Sequence, residues 1–166
     1  MKRTFLVLFA LIFLMCGCKS KEVKMKTNGI KFTANVSYGN EKYELDVKIV
    51  KDGQIECKLK SPNSMNGTKF TITNETVTVD YLGLTFQKEL KDLPFGNAVS
   101  LLFKALDDIK SKTATEKNGN YYIYGKVGNS KYEFAASPSG LPLSLSFPNE
   151  KISMEFKNLT LVKNGK

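Results

Sequence analysis

Asp107-Asp108 is the nearest thing in this sequence to the paired carboxylates that acid–base catalysis uses. The surrounding pattern is helical, and neighbouring residues on a helix point about 100° apart, so these two carboxylates do not converge on one substrate atom. They read as a polar edge near a helix C-terminus. Asp52, Asp80, Asp92, Glu44, Glu56 and Glu133 fall in turns or on polar strand faces and form no ligand cluster. No Asp-x-Asp-x-Asp-Gly calcium loop, phosphate-cradling glycine loop or Gly-x-Ser-x-Gly elbow occurs. The chain has no histidine, which excludes Ser-His-Asp and Cys-His nucleophilic pairs, His-ligated zinc and a histidine general base. Cys57 falls on the inward face of a strand, where a thiol behaves as a small hydrophobe. No catalytic residue, metal or cofactor is expected, and the chain reads as a non-enzyme.

The chemistry that does stand out is covalent and lies at the N-terminus. Met1-Lys2-Arg3 is a short positive segment, followed by an unbroken apolar run from Phe5 to Met15. Spanning a bilayer takes about 20 apolar residues, so this run suits a signal-peptide core better than a permanent membrane helix. Next come Met15-Cys16-Gly17-Cys18-Lys19-Ser20, which resemble a bacterial lipobox: a small residue, Gly17, precedes the cysteine, Cys18, that would be diacylated and become the new N-terminus. Met15 stands where leucine is usual, and bulky Met15 also makes Cys16 the poorer candidate. Ordinary secretion with a free Cys18 is the alternative. The reading is therefore a signal peptide over 1–17, a lipidated polar tether over 18–29 and a single domain over 30–166. Loss of Lys2 and Arg3 lowers the net charge of +9 to +7, and all cations but Arg3 are lysine. Only Cys18 and Cys57 remain, so no disulfide framework is expected and the hydrophobic core must stabilise the exported domain. Two acyl chains anchor stably where one binds marginally. The basic balance adds attraction to anionic lipid or wall polymer, or is a solvated lysine-rich surface. No aromatic platform accompanies the lysines, and nucleic acid is not an expected partner.

Beyond Gly29 the dominant signal is period-two alternation, which predicts strands with one buried face. Ile30, Phe32, Ala34, Val36 and Tyr38 alternate with polar residues, Gly39-Asn40 turns the chain, and Tyr43, Leu45, Val47 and Ile49 alternate again. Asp52-Gly53 is a strong hairpin signal before Ile55, Cys57 and Leu59. Phe70 and Ile72, then Val77, Val79 and Tyr81, then Leu84 and Phe86 complete about six strands, with Gly83 marking a bulge or bend. Connections this short imply antiparallel neighbours. From Ala98 to Lys110 the spacing becomes helical, with a broad apolar stripe at 98, 99, 102, 106 and 109, capped by Asp92 or Asn97. A helix this apolar must be covered on most sides, which places it in a concave sheet. Residues 112–120 read as a polar loop. Four more strands follow, over 121–127, 131–136, 141–147 and 152–161, and Pro142 puts the third of these at an edge or beside a bulge. Gly39-Asn40-Glu41-Lys42-Tyr43-Glu44-Leu45 is echoed by Gly128-Asn129-Ser130-Lys131-Tyr132-Glu133-Phe134, in support of both hairpins.

This pattern specifies an α+β domain: a curved antiparallel sheet, a half-barrel of about nine or ten strands, with one apolar helix on its concave face. The inward aromatics either fill a packed core or line a groove suited to acyl chains. The groove candidates are Tyr43, Leu45, Ile55, Phe70, Val79, Tyr81, Phe86, Leu102, Phe103, Phe134 and Leu143.

The order of elements, with Cys57-Lys58-Leu59-Lys60-Ser61-Pro62, Tyr81-Leu82-Gly83-Leu84 and Gly140-Leu141-Pro142-Leu143, is similar to the LolA/LolB lipoprotein-carrier superfamily and its LppX/LprG-type lipoprotein members. The resemblance covers roughly residues 30–161. It implies a curved half-barrel whose concave face holds lipid or acyl chains, at the extracytoplasmic face of a bacterial membrane. The family usually has an early helix and frequent tryptophan; this chain has no tryptophan, and no helix is read before residue 95. Two functions from different classes follow. One is a membrane-tethered, monomeric domain that binds lipid or acyl chains. The other is a surface lipoprotein with a filled core that acts as scaffold or accessory subunit of an envelope complex. An envelope enzyme would need two carboxylates converging in one cleft.

Overall fold

The computed structural model describes residues 20–21, 24–27, 29–50, 54–73, 76–93 and 96–162. In chain order the elements are β1 (Ser20–Lys21), β2 (Ile30–Tyr38), β3 (Glu41–Ile49), β4 (Ile55–Ser61), β5 (Lys69–Thr73), β6 (Thr76–Tyr81), β7 (Leu84–Glu89), α1 (Gly96–Asp108), β8 (Ala114–Lys117), β9 (Asn120–Val127), β10 (Ser130–Ala136), β11 (Pro142–Phe147) and β12 (Ile152–Leu161). All the strands join one antiparallel sheet in the order β1-β8-β9-β10-β11-β12-β2-β3-β4-β5-β6-β7. Consecutive strands pair through short turns because each alternating segment has one apolar face to bury and little chain in which to cross over. The exceptions are the edge pair of β1 with β8 and the seam between β2 and β12, where Ile30 lies opposite Leu161 and Ile152 opposite Tyr38.

The register carries one apolar face across the sheet. Phe156, Ala34 and Leu45 are in one row, and Leu145, Met154 and Val36 in another. This concave face and α1 form a single core. On α1 the buried side is Gly96, Ala98, Leu101, Leu102, Ala105 and Leu106. The small residues let the helix come close: a Cβ on Gly96 would run into the carbonyl of Leu90, at the turn that delivers the helix. At the other end of α1, the buried Tyr132 of β10 donates its hydroxyl to the Asp108 carboxylate at 2.7 Å. The Tyr132 ring lies against Gly125, where any Cβ would overlap it.

Several sequence expectations need correction. The eleven strands of four or more residues exceed the nine or ten expected, because β8 occupies part of the stretch read as a polar loop. Its Ala-Thr-Glu-Lys has one buried residue, Ala114, and it becomes a strand by pairing with β9 and β1. The helix runs from Gly96 to Asp108, and residues 109–111 continue as a 3₁₀ turn. The tether is shorter than expected. β1 pairs with β8, the Lys26 N–H donates to the Gly140 carbonyl at 2.9 Å, and Thr27 is buried. Pro142 starts an internal strand beside a register shift at Ala135/Ala136, the second of its two expected settings. Gly83 is the second residue of a two-residue hairpin turn, the bend rather than the bulge of its two expected settings. The signal peptide, Cys18 and the Asp52-Gly53 turn lie outside the described residues.

Antiparallel order gives the sheet two ends. One end holds the Asn118-Gly119 turn, the Ser137–Gly140 turn and the start of β2. The other holds the turns at Gly39-Asn40, Gly128-Asn129 and Leu82-Gly83, together with the loop over 62–68.

Candidate functional site

Strands β5, β6 and β7 put Phe70, Val79 and Phe86 in one row of the concave face, with Tyr81 opposite Leu84 beyond it. The 62–68 loop folds over this corner. Its Gly67 N–H donates to the Leu59 carbonyl and the Leu59 N–H to the Thr68 carbonyl, each at 2.9 Å. The Thr68 hydroxyl donates to the Met65 carbonyl at 2.6 Å and the Tyr81 hydroxyl to the Ser64 carbonyl at 3.1 Å. These bonds hold Met65 above the row and occupy both hydroxyls. What is left is an open pocket of about 210 Å³, almost wholly apolar, lined by Met65, Thr68, Phe70, Val79, Tyr81, Phe86 and Leu93. Its volume lies between the ~150 Å³ cavity that admits benzene and the ~300 Å³ at which drug-sized pockets begin. It fits part of a hydrocarbon chain and has no charged group with which to fix a polar ligand.

An exposed apolar rim adjoins this pocket. Leu82 is 83% and Leu84 70% exposed, and Phe86 and Met65 are exposed as well. Leu82 has φ +52° and Gly83 φ +81°, the left-handed pair that a tight hairpin turn needs. At the comparable Asn118-Gly119 turn the first position is asparagine (φ +53°), a residue that tolerates this conformation, whereas here it is leucine.

Of the groove candidates, the structure brings Phe70, Val79, Tyr81 and Phe86 together. Ile55 and Phe134 are fully buried in the core and line no open space. Leu102 is buried on α1 and Phe103 partly buried beside it; Leu45 and Leu143 are partly buried on β3 and β11. Tyr43 borders a different hollow of about 360 Å³, with Asn35, Ser37, Glu44 and Glu155 in its polar wall. The periodicity passed over Met65, Thr68 and Leu93. Met65 had one usable signal, being the only large apolar residue between Ser61 and Thr68.

The carboxylates remain apart. Asp107 pairs with Lys110 at 3.0 Å, and Asp108 takes the Tyr132 hydroxyl with Lys112 at 3.7 Å. Burial, reinforced by Asp108, pushes the Tyr132 phenol well above the ordinary tyrosine range. Burial, with the Glu56 carboxylate beside it, pushes the Cys57 thiol up to about 12. Among the described residues no three His, Cys, Asp or Glu side chains are grouped to hold a metal, and no helix is long and apolar enough to cross a membrane.

No protein-family model and no curated protein matches the chain. Solved structures do. An uncharacterized conserved protein from Thermus thermophilus superposes with a TM-score of 0.50 at 14% identity, over 82% of this chain and 80% of that one. That is a likeness of fold. A LolA superfamily protein from Nitrosomonas europaea gives 0.38 at 8% identity, over 82% and 86% of the two chains. A DUF1329 family protein from Desulfovibrio piger gives 0.33 at 10% identity, over 83% and 88%. Among the described residues the chain adopts the fold expected from the sequence, a half-barrel with one α-helix on its concave face.

Proposed function

We propose that this protein is a lipoprotein of the bacterial envelope, anchored through diacylated Cys18, that binds an acyl chain at the β5–β7 corner of its half-barrel. The carrying observation is the all but wholly apolar pocket under Met65 and Phe86, opening beside the exposed Leu82 and Leu84. Contiguous exposed apolar surface of this kind marks interaction sites for protein, ligand or membrane. The pocket's small volume suits the end of one chain rather than a whole lipid. The reading involves no catalytic step and no cofactor. The filled concave face, with Ile55 and Phe134 sealed in the core, supports the second reading of a tethered scaffold.

Native mass spectrometry on a soluble form beginning at Lys19, purified without detergent, separates the two. Acyl binding predicts a co-purifying lipid mass that Phe86→Glu removes and Leu161→Glu, at an exposed site on β12, leaves in place. An apo mass, with no uptake from phosphatidylcholine–phosphatidylglycerol vesicles, would sink the acyl-binding reading and leave the scaffold.

A further inference from the structure

The pairing of β1 with β8 bears on how the domain sits on its membrane, and this inference rests on the Cys18 anchor proposed above. Ser20 lies opposite Thr115 and Lys21 opposite Ala114. An antiparallel partner followed toward its N-terminus therefore heads toward Lys117 and the Asn118-Gly119 turn. Cys18 is two residues ahead of Ser20, so at most ~7 Å of chain separates the lipidated residue from a strand fixed in the sheet. That is too short a link to let the domain swing freely. The end it reaches carries exposed Lys24, Lys26 and Lys117, with Glu116 beside them among the described residues and Glu22 just before Lys24 in the sequence. The Lys26 N–H is itself tied to Gly140 in the Ser137–Gly140 turn of that same end.

The Leu82-Gly83 tip and the 62–68 loop lie at the opposite end of the sheet. The nine residues of β2 run between the two ends, roughly 30 Å along the strand and some 20–25 Å in height once a barrel-like tilt of ~35–45° is included. We propose that the end bearing Lys24, Lys26, Lys117 and the Asn118-Gly119 turn rests on the anionic leaflet that carries Cys18, so that the Leu82 tip and the apolar pocket face away from it. Short linkage and charge act together here, since each lysine near an anionic surface adds attraction that acts only within a Debye length. The pocket then cannot draw its occupant from the leaflet that anchors it.

The test uses the full lipidated chain in phosphatidylcholine–phosphatidylglycerol vesicles, with a fluorescent probe at Lys117→Cys or Leu82→Cys. Both sites are exposed and tolerate a label, while the partly buried Cys57 is a poor competitor for it. Quenchers attached to lipid headgroups should quench the 117 probe several-fold more than the 82 probe, and aqueous iodide should show the reverse order. A Gly/Ser stretch inserted after Lys19 should erase the difference. Equal quenching, or deeper quenching at 82, on vesicle-bound protein overturns the orientation and leaves the anchor standing. Protein that carries no acyl mass and stays off the vesicles overturns the anchor and the orientation together.

Discussion

The bond between Tyr132 and Asp108 joins the last turn of the only described α-helix to the middle of the sheet, and its strength can be measured. Tyr132→Phe keeps the ring, its packing on Gly125 and its contact with Phe147 at 6.0 Å between centroids, and removes only the hydroxyl. A hydrogen bond to a charged acceptor contributes ~1.5–3 kcal/mol. Asp108 is partly exposed and keeps Lys112 within 3.7 Å, so water and that ammonium recover part of the loss. The expected cost is therefore at the low end, about 1.5 kcal/mol, or roughly 3–6 °C in melting temperature for a chain of this size. Asp108→Asn retains an acceptor and should cost about 1 kcal/mol. Urea unfolding of both single variants and the double variant closes a cycle, in which the two changes should overlap by about 1 kcal/mol. Strictly additive costs would refute the reasoning, because they would mean the two side chains do not stabilise one another and the helix end is held by packing alone.

Tyr132 also sets an alkaline limit. Burial and Asp108 hold its pKa above that of an unfolded tyrosine, about 10, so above that pH the unfolded chain releases a proton the folded one keeps. Its stabilisation is full below pH ~10 and declines as pH rises beyond it, and Tyr132→Phe should flatten that decline in urea titrations. For Cys57, raised from 9.0 to about 12, the folded chain should hold roughly a thousandfold less thiolate at pH 8 than the unfolded chain. A soluble form beginning at Lys19, in which Cys57 is the one cysteine, should then react with a thiol reagent only slowly until urea unfolds it; rapid stoichiometric reaction in buffer would contradict this. Leu82→Asn should stabilise the fold by about 1 kcal/mol, since asparagine tolerates φ +52° better than leucine, and a lowered urea midpoint would contradict that.

The strands were legible because every one that spans the core alternates over at least four or five residues, and that pattern survives whatever its neighbours do. β8 escaped for the opposite reason: its strand character comes from the strands beside it, and Glu116-Lys117 are as polar as any loop. Three of the seven residues that line the pocket escape likewise. Phe70, Val79, Tyr81 and Phe86 lie on alternating strands and read as inward from the sequence, while Met65, Thr68 and Leu93 reach the same space from irregular segments that turns and side-chain bonds position. Which inward residues line a pocket and which seal the core was not readable at all. Val79 and Phe134 are both apolar and both face inward on alternating strands, and only the curvature of the assembled sheet and the place of α1 tell them apart.

The β2–β12 seam ties the order of folding to the arrival of β12. Ile30 and Leu161 are neighbours in space and 131 positions apart in sequence, and the Val162 N–H donates to the Gly29 carbonyl at 2.8 Å just past them. Closing a loop of that length costs on the order of 4 kcal/mol in chain entropy before any pairing compensates it. The hairpins on either side can flicker into being earlier, but they join into one curved surface only when β12 arrives. Until then the chain remains a string of local hairpins. A chain with this wiring stays threadable until β12 is released, and cutting away that one strand would undo both flanks of the sheet together.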